Sequence, residues 1–262
     1  MRCTVLTAAL AALLLLAACG SDDPAAPADE PAPTPVLASP PEDVFLADEV
    51  PLEFSAPGAR SLRWLVDRVE LGSTAGDSYT GTLQADAVGG GAHLLQVQAV
   101  TRTDTATVER WFHVTPSQAP FSGDAAPGFF GADLQGNPIA PDSLRAGHVT
   151  LINFWASWCP PCLEEMPALQ TAYDEFAPQG LRMLAVNTEA SRDRCDTAVA
   201  DLALTFPVVH DSTQAISRWY YTVGVLPTSY VVDGEGVIQA TFFGAQNLAT
   251  FREVIAPLLA DR

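Results

Sequence analysis

Lysine is missing from all 262 residues; the 13 basic side chains are every one arginine. That excludes Schiff-base chemistry on lysine and a phosphate loop that depends on one. Positive charge is scarce altogether, with 31 acidic residues against those 13 and a formal net charge of -18. Such a chain lacks the arginine- and lysine-rich surface that displaces counterions from phosphates, so no nucleic-acid partner is expected. Histidine is sparse too, with four residues. His113, His148 and His210 are scattered, and no second Cys/His pair stands at a spacing that would complete a four-ligand zinc site. What is present fits a folded chain: 48% apolar and 17% charged residues, enough for a core, at a length that allows one large domain or two small ones.

The N-terminus reads as an address. Arg2 supplies a positive start, and Val5 to Ala18 is free of charge. Fourteen residues are too few to cross about 30 Å of hydrocarbon as a helix, so residues 1–18 are expected to be a signal peptide. The stretch Leu16-Ala17-Ala18-Cys19-Gly20 resembles the bacterial lipobox. That resemblance implies cleavage before Cys19, lipidation of Cys19 and a stable membrane anchor; the alternative is an ordinary secretory signal with Cys19 incidental. Residues 19–41 are rich in proline, alanine and acid, without apolar periodicity, and read as an extended tether.

Of the five cysteines, Cys3 leaves with the signal and Cys19 carries lipid, which leaves Cys159, Cys162 and Cys195. An exported chain meets an oxidising compartment in which a closely spaced pair forms a disulfide.

Two folded parts are expected after the tether. Over 42–115 the apolar residues alternate: Val50, Leu52, Phe54; Leu62, Trp64, Val66; Leu95, Val97, Ala99; then Val108 to Val114. Short strands between Gly, Asp and Ser turns indicate a small all-β sandwich. The stretches Trp64-Leu65-Val66-Asp67-Arg68-Val69-Glu70-Leu71-Gly72 and Gly91-Ala92-His93-Leu94-Leu95-Gln96-Val97 resemble bacterial immunoglobulin-like modules. Nothing in this part looks catalytic; His93 reads as structural, and the part as a spacer in preference to a docking surface. Residues 116–128, rich in Pro, Gly and Ser, form a linker. Residues 129–262 alternate strand and helix signals. Buried strands are expected at Thr150–Trp155 and Leu181–Val186, and helices at Pro160–Phe176, Arg192–Leu204 and Thr213–Tyr220. A strand pair, Ser229–Val232 and Val237–Phe242, flanks Asp233-Gly234-Glu235-Gly236, and Asn247 caps a last helix. The order βαβα then ββα makes an α/β fold with a mixed central sheet and helices on both faces.

The chemistry sits at one strand-to-helix junction, Trp155-Ala156-Ser157-Trp158-Cys159-Pro160-Pro161-Cys162-Leu163-Glu164-Glu165-Met166-Pro167. The spacing puts Cys159 at the helix N-terminus and Cys162 in its first turn, on one face and within disulfide reach. Helix-end amides and the macrodipole favour a thiolate on Cys159. Cys159 is then the attacking sulfur and Cys162 the resolving one, and the exchange needs no cofactor. Neither Pro160 nor Pro161 has an amide hydrogen to offer the Cys159 sulfur, which leaves mainly the Cys162 amide. A modestly stabilised thiolate, a low reduction potential and a reductive role follow.

Together with Phe206-Pro207-Val208 and Gly224-Val225-Leu226-Pro227-Thr228, this stretch resembles the TlpA/ResA-like branch of thioredoxin-fold thiol-disulfide oxidoreductases, over essentially all of 129–262. The resemblance implies a cis peptide between Leu226 and Pro227 beside the cysteines and a proton-relay role for Glu165, and it places Trp158 in the site. Asn153 occupies a strand position where many thioredoxins have a buried acid, which shifts the relay to Glu165. Implied substrates are disulfides of exported proteins, such as the haem-site cysteines of apocytochrome c, with electrons from an upstream membrane donor. Cys195 reads as an inert core residue. The competing readings are a peroxiredoxin-type peroxidase, a copper chaperone and a non-catalytic binding module built on a degenerate oxidoreductase domain. The first lacks its cysteine motif, the second its wider cysteine spacing, and the intact Cys-Pro-Pro-Cys and Pro227 weigh against the third.

Overall fold

The computed structural model describes residues 31–42, 45–46, 48–116, 118–145 and 147–260. The expected signal, Cys19 and the tether as far as residue 30 lie outside the described residues.

The first half is all strand: β1 (Val36–Ser39), β2 (Phe45–Leu46), β3 (Glu49–Ser55), β4 (Ser61–Val66), β5 (Val69–Ala75), β6 (Ser78–Gln84), β7 (Gly91–Val100) and β8 (Thr105–Val114). They form two sheets, ordered β1-β3-β6 and β2-β8-β7-β4-β5. The alternation read from the sequence is the reason these sheets face each other. Val50, Leu52 and Phe54 on one and Leu62, Trp64, Val66, Leu95, Val97 and Ala99 on the other close a single core. Each buried valine, leucine or phenylalanine among them contributes about 1.5–3 kcal/mol. Asp67 and Arg68, both with positive φ (50° and 69°), make the tight turn between β4 and β5, the conformation a two-residue hairpin loop requires. His93 is structural, fully buried with Nδ1 2.8 Å from Asp67 Oδ2 and Nε2 3.0 Å from the Gly89 carbonyl. The sandwich begins earlier than the composition indicates, because β1 lies inside the proline-rich span read as tether and pairs antiparallel with β3. Three of the four residues of β1 pair, too short a run for periodicity to reveal.

The second half contains β9 (Gly131–Ala132), β10 (Pro138–Ile139), β11 (Thr150–Trp155), α1 (Pro160–Phe176), β12 (Arg182–Asn187), α2 (Arg192–Asp201), β13 (Val208–His210), β14 (Thr228–Val232), β15 (Ile238–Phe243) and α3 (Leu248–Ala260). Its sheet runs β13-β12-β11-β14-β15, with β11, β12 and β13 parallel and β14 and β15 antiparallel to their neighbours. On central β11, Leu151, Asn153 and Trp155 face one side and Ile152 and Phe154 the other. The first side packs on α1 and α3 through Met166, Leu169, Ala172, Phe176, Phe251 and Ile255. The second is covered by Ile216, Tyr220 and Tyr221. This arrangement is the thioredoxin fold, with an all-β unit before it.

Three details depart from the sequence reading. The helix expected to reach Leu204 ends at Asp201, because Leu202 closes it and Ala203 turns to positive φ (50°). The helix expected over Thr213–Tyr220 is a π-helical turn, Ala215–Tyr220, entered through Gln214 at φ 59°. The span read as a linker is stitched to the second half: Ala125 bridges Val237, the Gly123 amide donates to the Ile238 carbonyl at 2.8 Å, and Tyr221 OH donates to the Pro127 carbonyl at 2.9 Å.

Candidate active site

The buried strand β11 delivers the chain to the N-terminus of α1, and the two cysteines sit on that corner. Cys159 is the N-cap, with extended backbone (φ −100°, ψ 101°), and Pro160 and Pro161 occupy the first turn, where a missing amide costs no helical hydrogen bond. Cys159 and Cys162 are joined by a disulfide with their Cα atoms 5.3 Å apart. The Cys162 amide donates to Cys159 Sγ at 3.3 Å. Both cysteines are buried, whereas neighbouring Trp158 is 61% exposed. The sulfurs therefore lie at the floor of a surface marked by one large apolar ring.

One helical turn beyond Cys162, Glu165 is 1% exposed. Its Oε1 accepts from the Gln246 amide at 2.8 Å and its Oε2 from Asn153 Nδ2 at 3.0 Å. The same Asn153 Nδ2 donates to Ser229 Oγ at 2.9 Å. Burial pushes the Glu165 carboxyl up to about 7, against the lowering effect of those two hydrogen bonds. A carboxyl with that affinity exchanges a proton readily near neutral pH. The asparagine in the usual acid position is thus in direct contact with the glutamate on the facing helix.

Leu226–Pro227 is a cis peptide. Leu226 packs against the cluster that contains both cysteines, the Pro227 carbonyl accepts from the Gly244 amide at 2.8 Å, and Thr228 Oγ1 donates to the Val225 carbonyl at 2.7 Å. This loop leaves Val225 exposed on the same end of the sheet as β11's C-terminus.

A second polar cluster escaped the sequence reading. Glu189, itself buried, accepts from the Ser157 amide at 3.2 Å, from Ser157 Oγ at 2.8 Å and from Asn187 Nδ2 at 2.9 Å. The Thr188 amide donates to the Trp155 carbonyl at 2.9 Å. These bonds pin the Ala156-Ser157-Trp158 approach to Cys159. The available signal was position: Asn187 and Glu189 follow the C-terminal end of a parallel strand beside the cysteine strand, the usual place for functional side chains in such sheets.

A profile of the AhpC/TSA family matches residues 122–241. The chain is 33% identical over 130 residues to the thiol-disulfide oxidoreductase ResA of Oceanobacillus iheyensis, covering 48% of this chain and 67% of that one. It is 34% identical over 124 residues to ResA of Bacillus thuringiensis, covering 47% and 70%. This chain belongs to the ResA-type thiol-disulfide oxidoreductases. The crystal structure of StoA from Bacillus subtilis aligns with 28% identity and a TM-score of 0.44, over 51% of this chain and 98% of that one.

As a member of that family the protein is an enzyme, a thiol-disulfide oxidoreductase, and the reading of a binding module without catalysis is set aside. Cys195, on α2, is a free thiol, fully buried. Burial first, then the Asp196 and Glu189 carboxylates, push it up to about 12. It is therefore protonated and inert at physiological pH. Among the described residues no group of three or more His, Cys, Asp or Glu is placed to hold a metal ion. Among the same residues no helix is long and apolar enough to cross a membrane.

Proposed function

We propose that this enzyme works outside the cytoplasm, tethered to a bacterial membrane through a lipidated Cys19, and reduces disulfides of exported proteins such as apocytochrome c. The observation that carries the reading is the placement of Glu165, a buried carboxyl of raised proton affinity, one turn beneath the Cys159–Cys162 pair. In the dithiol form, the Cys159 thiol gives its proton to water and the resulting thiolate attacks one sulfur of the substrate disulfide. The other substrate sulfur leaves as a thiolate and takes a proton from water. Glu165 removes the proton from Cys162, whose thiolate attacks Cys159 Sγ. The mixed disulfide breaks, the second substrate sulfur leaves and is protonated, and the enzyme holds the Cys159–Cys162 disulfide. Two electrons have passed from enzyme to substrate, and a membrane donor restores the dithiol.

Among the described residues one amide donates to Cys159 Sγ, which supports the reductive direction, because a poorly stabilised thiolate keeps the dithiol strongly reducing. Exposed Trp158, next to Cys159 in the chain, and Leu226, packed on the cluster that holds both cysteines, support binding of an extended polypeptide bearing the target cysteine. The test is a mixed-disulfide trap. Reduced Cys162→Ala protein, mixed with an oxidised apocytochrome c peptide, is expected to accumulate a covalent adduct on Cys159, and Cys159→Ser to form none and to lose insulin reduction. Equal insulin reduction by wild type and Cys159→Ser would refute the mechanism.

A further inference from the structure

The all-β unit does not merely hang from the catalytic fold; it touches the segment that leads into the Pro227 loop. His113, the penultimate residue of β8, is buried with Nδ1 2.8 Å from Tyr220 OH, which is itself buried. Tyr221, fully buried, donates its hydroxyl to the Pro127 carbonyl at 2.9 Å. On β7, the Ala92 amide donates to the Gly128 carbonyl at 2.8 Å. A Cβ on neighbouring Gly91 would meet the Gly128 backbone nitrogen at 2.7 Å, so the two units meet backbone to backbone. Trp111 of β8 packs edge-on against Phe130, with ring centroids 4.6 Å apart.

Tyr220 closes the π-helical turn Ala215–Tyr220. Such turns are rare and cluster at functional positions. The turn is flanked by two non-glycine residues in the left-handed region, Gln214 (φ 59°) and Thr222 (φ 45°). Backbone of that kind persists only where its surroundings fix it. Inside the catalytic fold, Asp211 fixes the start of the turn, accepting from the Ile216 and Ser217 amides at 3.2 and 2.8 Å. Its end is fixed by Tyr220 and Tyr221, whose hydroxyls are met by His113 and by the Pro127 carbonyl. From Thr222 only four residues intervene before Pro227. The Val223 amide donates to the Ser217 carbonyl at 2.8 Å. Leu226 packs on the cluster containing Tyr220 and Tyr221 and also on the cluster containing Cys159 and Cys162.

We propose that His113 is a positioning residue for catalysis: through Tyr220 the β unit holds the 221–227 segment where it receives polypeptide substrates beside the cysteines. The inference rests on the function proposed above and adds a role for the accessory unit in substrate binding. The sulfurs themselves are not touched by this contact, so the intrinsic exchange chemistry stays as it is.

Tyr220→Phe and His113→Phe remove the hydrogen bond and keep a ring in place. Arg68→Ala, which breaks an exposed ion pair to Asp142 elsewhere on the same junction, is the control. Each full-length protein is reduced and assayed with insulin and with the small disulfide 5,5′-dithiobis(2-nitrobenzoate). The expected result for both phenylalanine variants is a KM for insulin raised about five-fold, equivalent to about 1 kcal/mol. kcat and the rate with the small disulfide should stay within a factor of about two, as should both activities of Arg68→Ala. Hydrogen exchange gives a second readout: the 221–227 amides are expected to lose protection in Tyr220→Phe and to keep it in Arg68→Ala. Unchanged insulin KM with unchanged protection overturns the inference, and so does an equal loss with both substrates, which indicates a purely structural contact. A wild type inactive toward insulin would bring down the proposed function and this inference with it; an active wild type with unaltered variants brings down the inference alone.

Discussion

Replacing Glu165 with glutamine tests the charge state on which the proposed proton transfer depends. The carboxyl is buried and its pKa is raised from 4.5 to about 7. At about 1.36 kcal/mol per unit, the folded state disfavours the ionised form by about 3 kcal/mol. The folded state binds the extra proton, so the stability it confers is fully present below about pH 4.5 and is lost as pH rises through about 7. Glu165→Gln abolishes that titration. Its oxygen still accepts from the Gln246 amide, while its amide nitrogen meets Asn153 Nδ2, donor against donor. Turning the Asn153 amide over resolves the conflict, because Asn153 Oδ1 has no hydrogen-bond partner among the described residues and then accepts from both the new amide and Ser229. The Asn153 nitrogen is left without a partner instead, at a cost of about 1 kcal/mol. In urea unfolding of the oxidised protein, where the active pair cannot titrate, Glu165→Gln is therefore expected to lie within about 0.5 kcal/mol of wild type at pH 5, where the unfolded carboxyl is already mostly ionised, and to be about 2 kcal/mol more stable at pH 9. The same variant should reduce insulin at least ten-fold more slowly at neutral pH, within the range lost with a general base. A stability difference that stays flat from pH 5 to pH 9 would refute the assignment of a buried, titrating carboxyl.

Cys195→Ala is expected to leave insulin reduction unchanged and to cost about 1 kcal/mol through the small cavity it opens. In the native oxidised protein Cys195 should resist iodoacetamide until urea unfolds it, and rapid native labelling would contradict its burial and its thiol pKa of about 12. Gly91→Ala places a methyl group against the Gly128 backbone at a φ of 122°, so it should destabilise the protein by about 1–3 kcal/mol in thermal unfolding; a neutral effect would mean the two units do not meet there.

The β sandwich and the sheet-and-helix half were both legible, because each is built on a period the chain keeps for several residues. Val50, Leu52 and Phe54 alternate, and Met166, Leu169, Ala172 and Phe176 recur at helical spacing. What escaped is short or encoded by contact. β1 and β13 span too few residues to show a period. The π-helical turn depends on Asp211 caps and two tyrosines whose partners, His113 and Pro127, are about a hundred residues away in sequence. At the site, the cysteine pair, Glu165 and Pro227 stand in one recognisable motif or its family counterpart. Glu189 does not, because its role comes from a hydrogen bond to Ser157 across two parallel strands. Local spacing writes the sulfur chemistry into the sequence, while the scaffolding of that chemistry is written in long-range pairs.

The reductive direction proposed above rests on how many donors face the Cys159 sulfur, because they set the potential of the pair against its partners. An N-cap side chain normally draws on the amides of the second and third helical residues. Here the second is Pro161, which has no hydrogen to give, and only the third, Cys162, reaches Cys159 Sγ, at 3.3 Å. In the dithiol state the Cys159 thiolate is therefore short of one charge-assisted hydrogen bond, about 1.5 kcal/mol. Pro161→Ala restores that donor at a position already helical. Any change in chain stiffness acts on the disulfide and dithiol forms alike, whereas the new amide acts on the thiolate alone. The reduced form should gain about 1.5 kcal/mol, so the Cys159 pKa should fall by about one unit and the reduction potential should rise by about 30 mV. Equilibration in glutathione buffers reads the potential, and absorbance of the thiolate at 240 nm reads the pKa. If Pro161→Ala leaves both unmoved, the amide count does not set the potential, and the reductive assignment loses its physical basis.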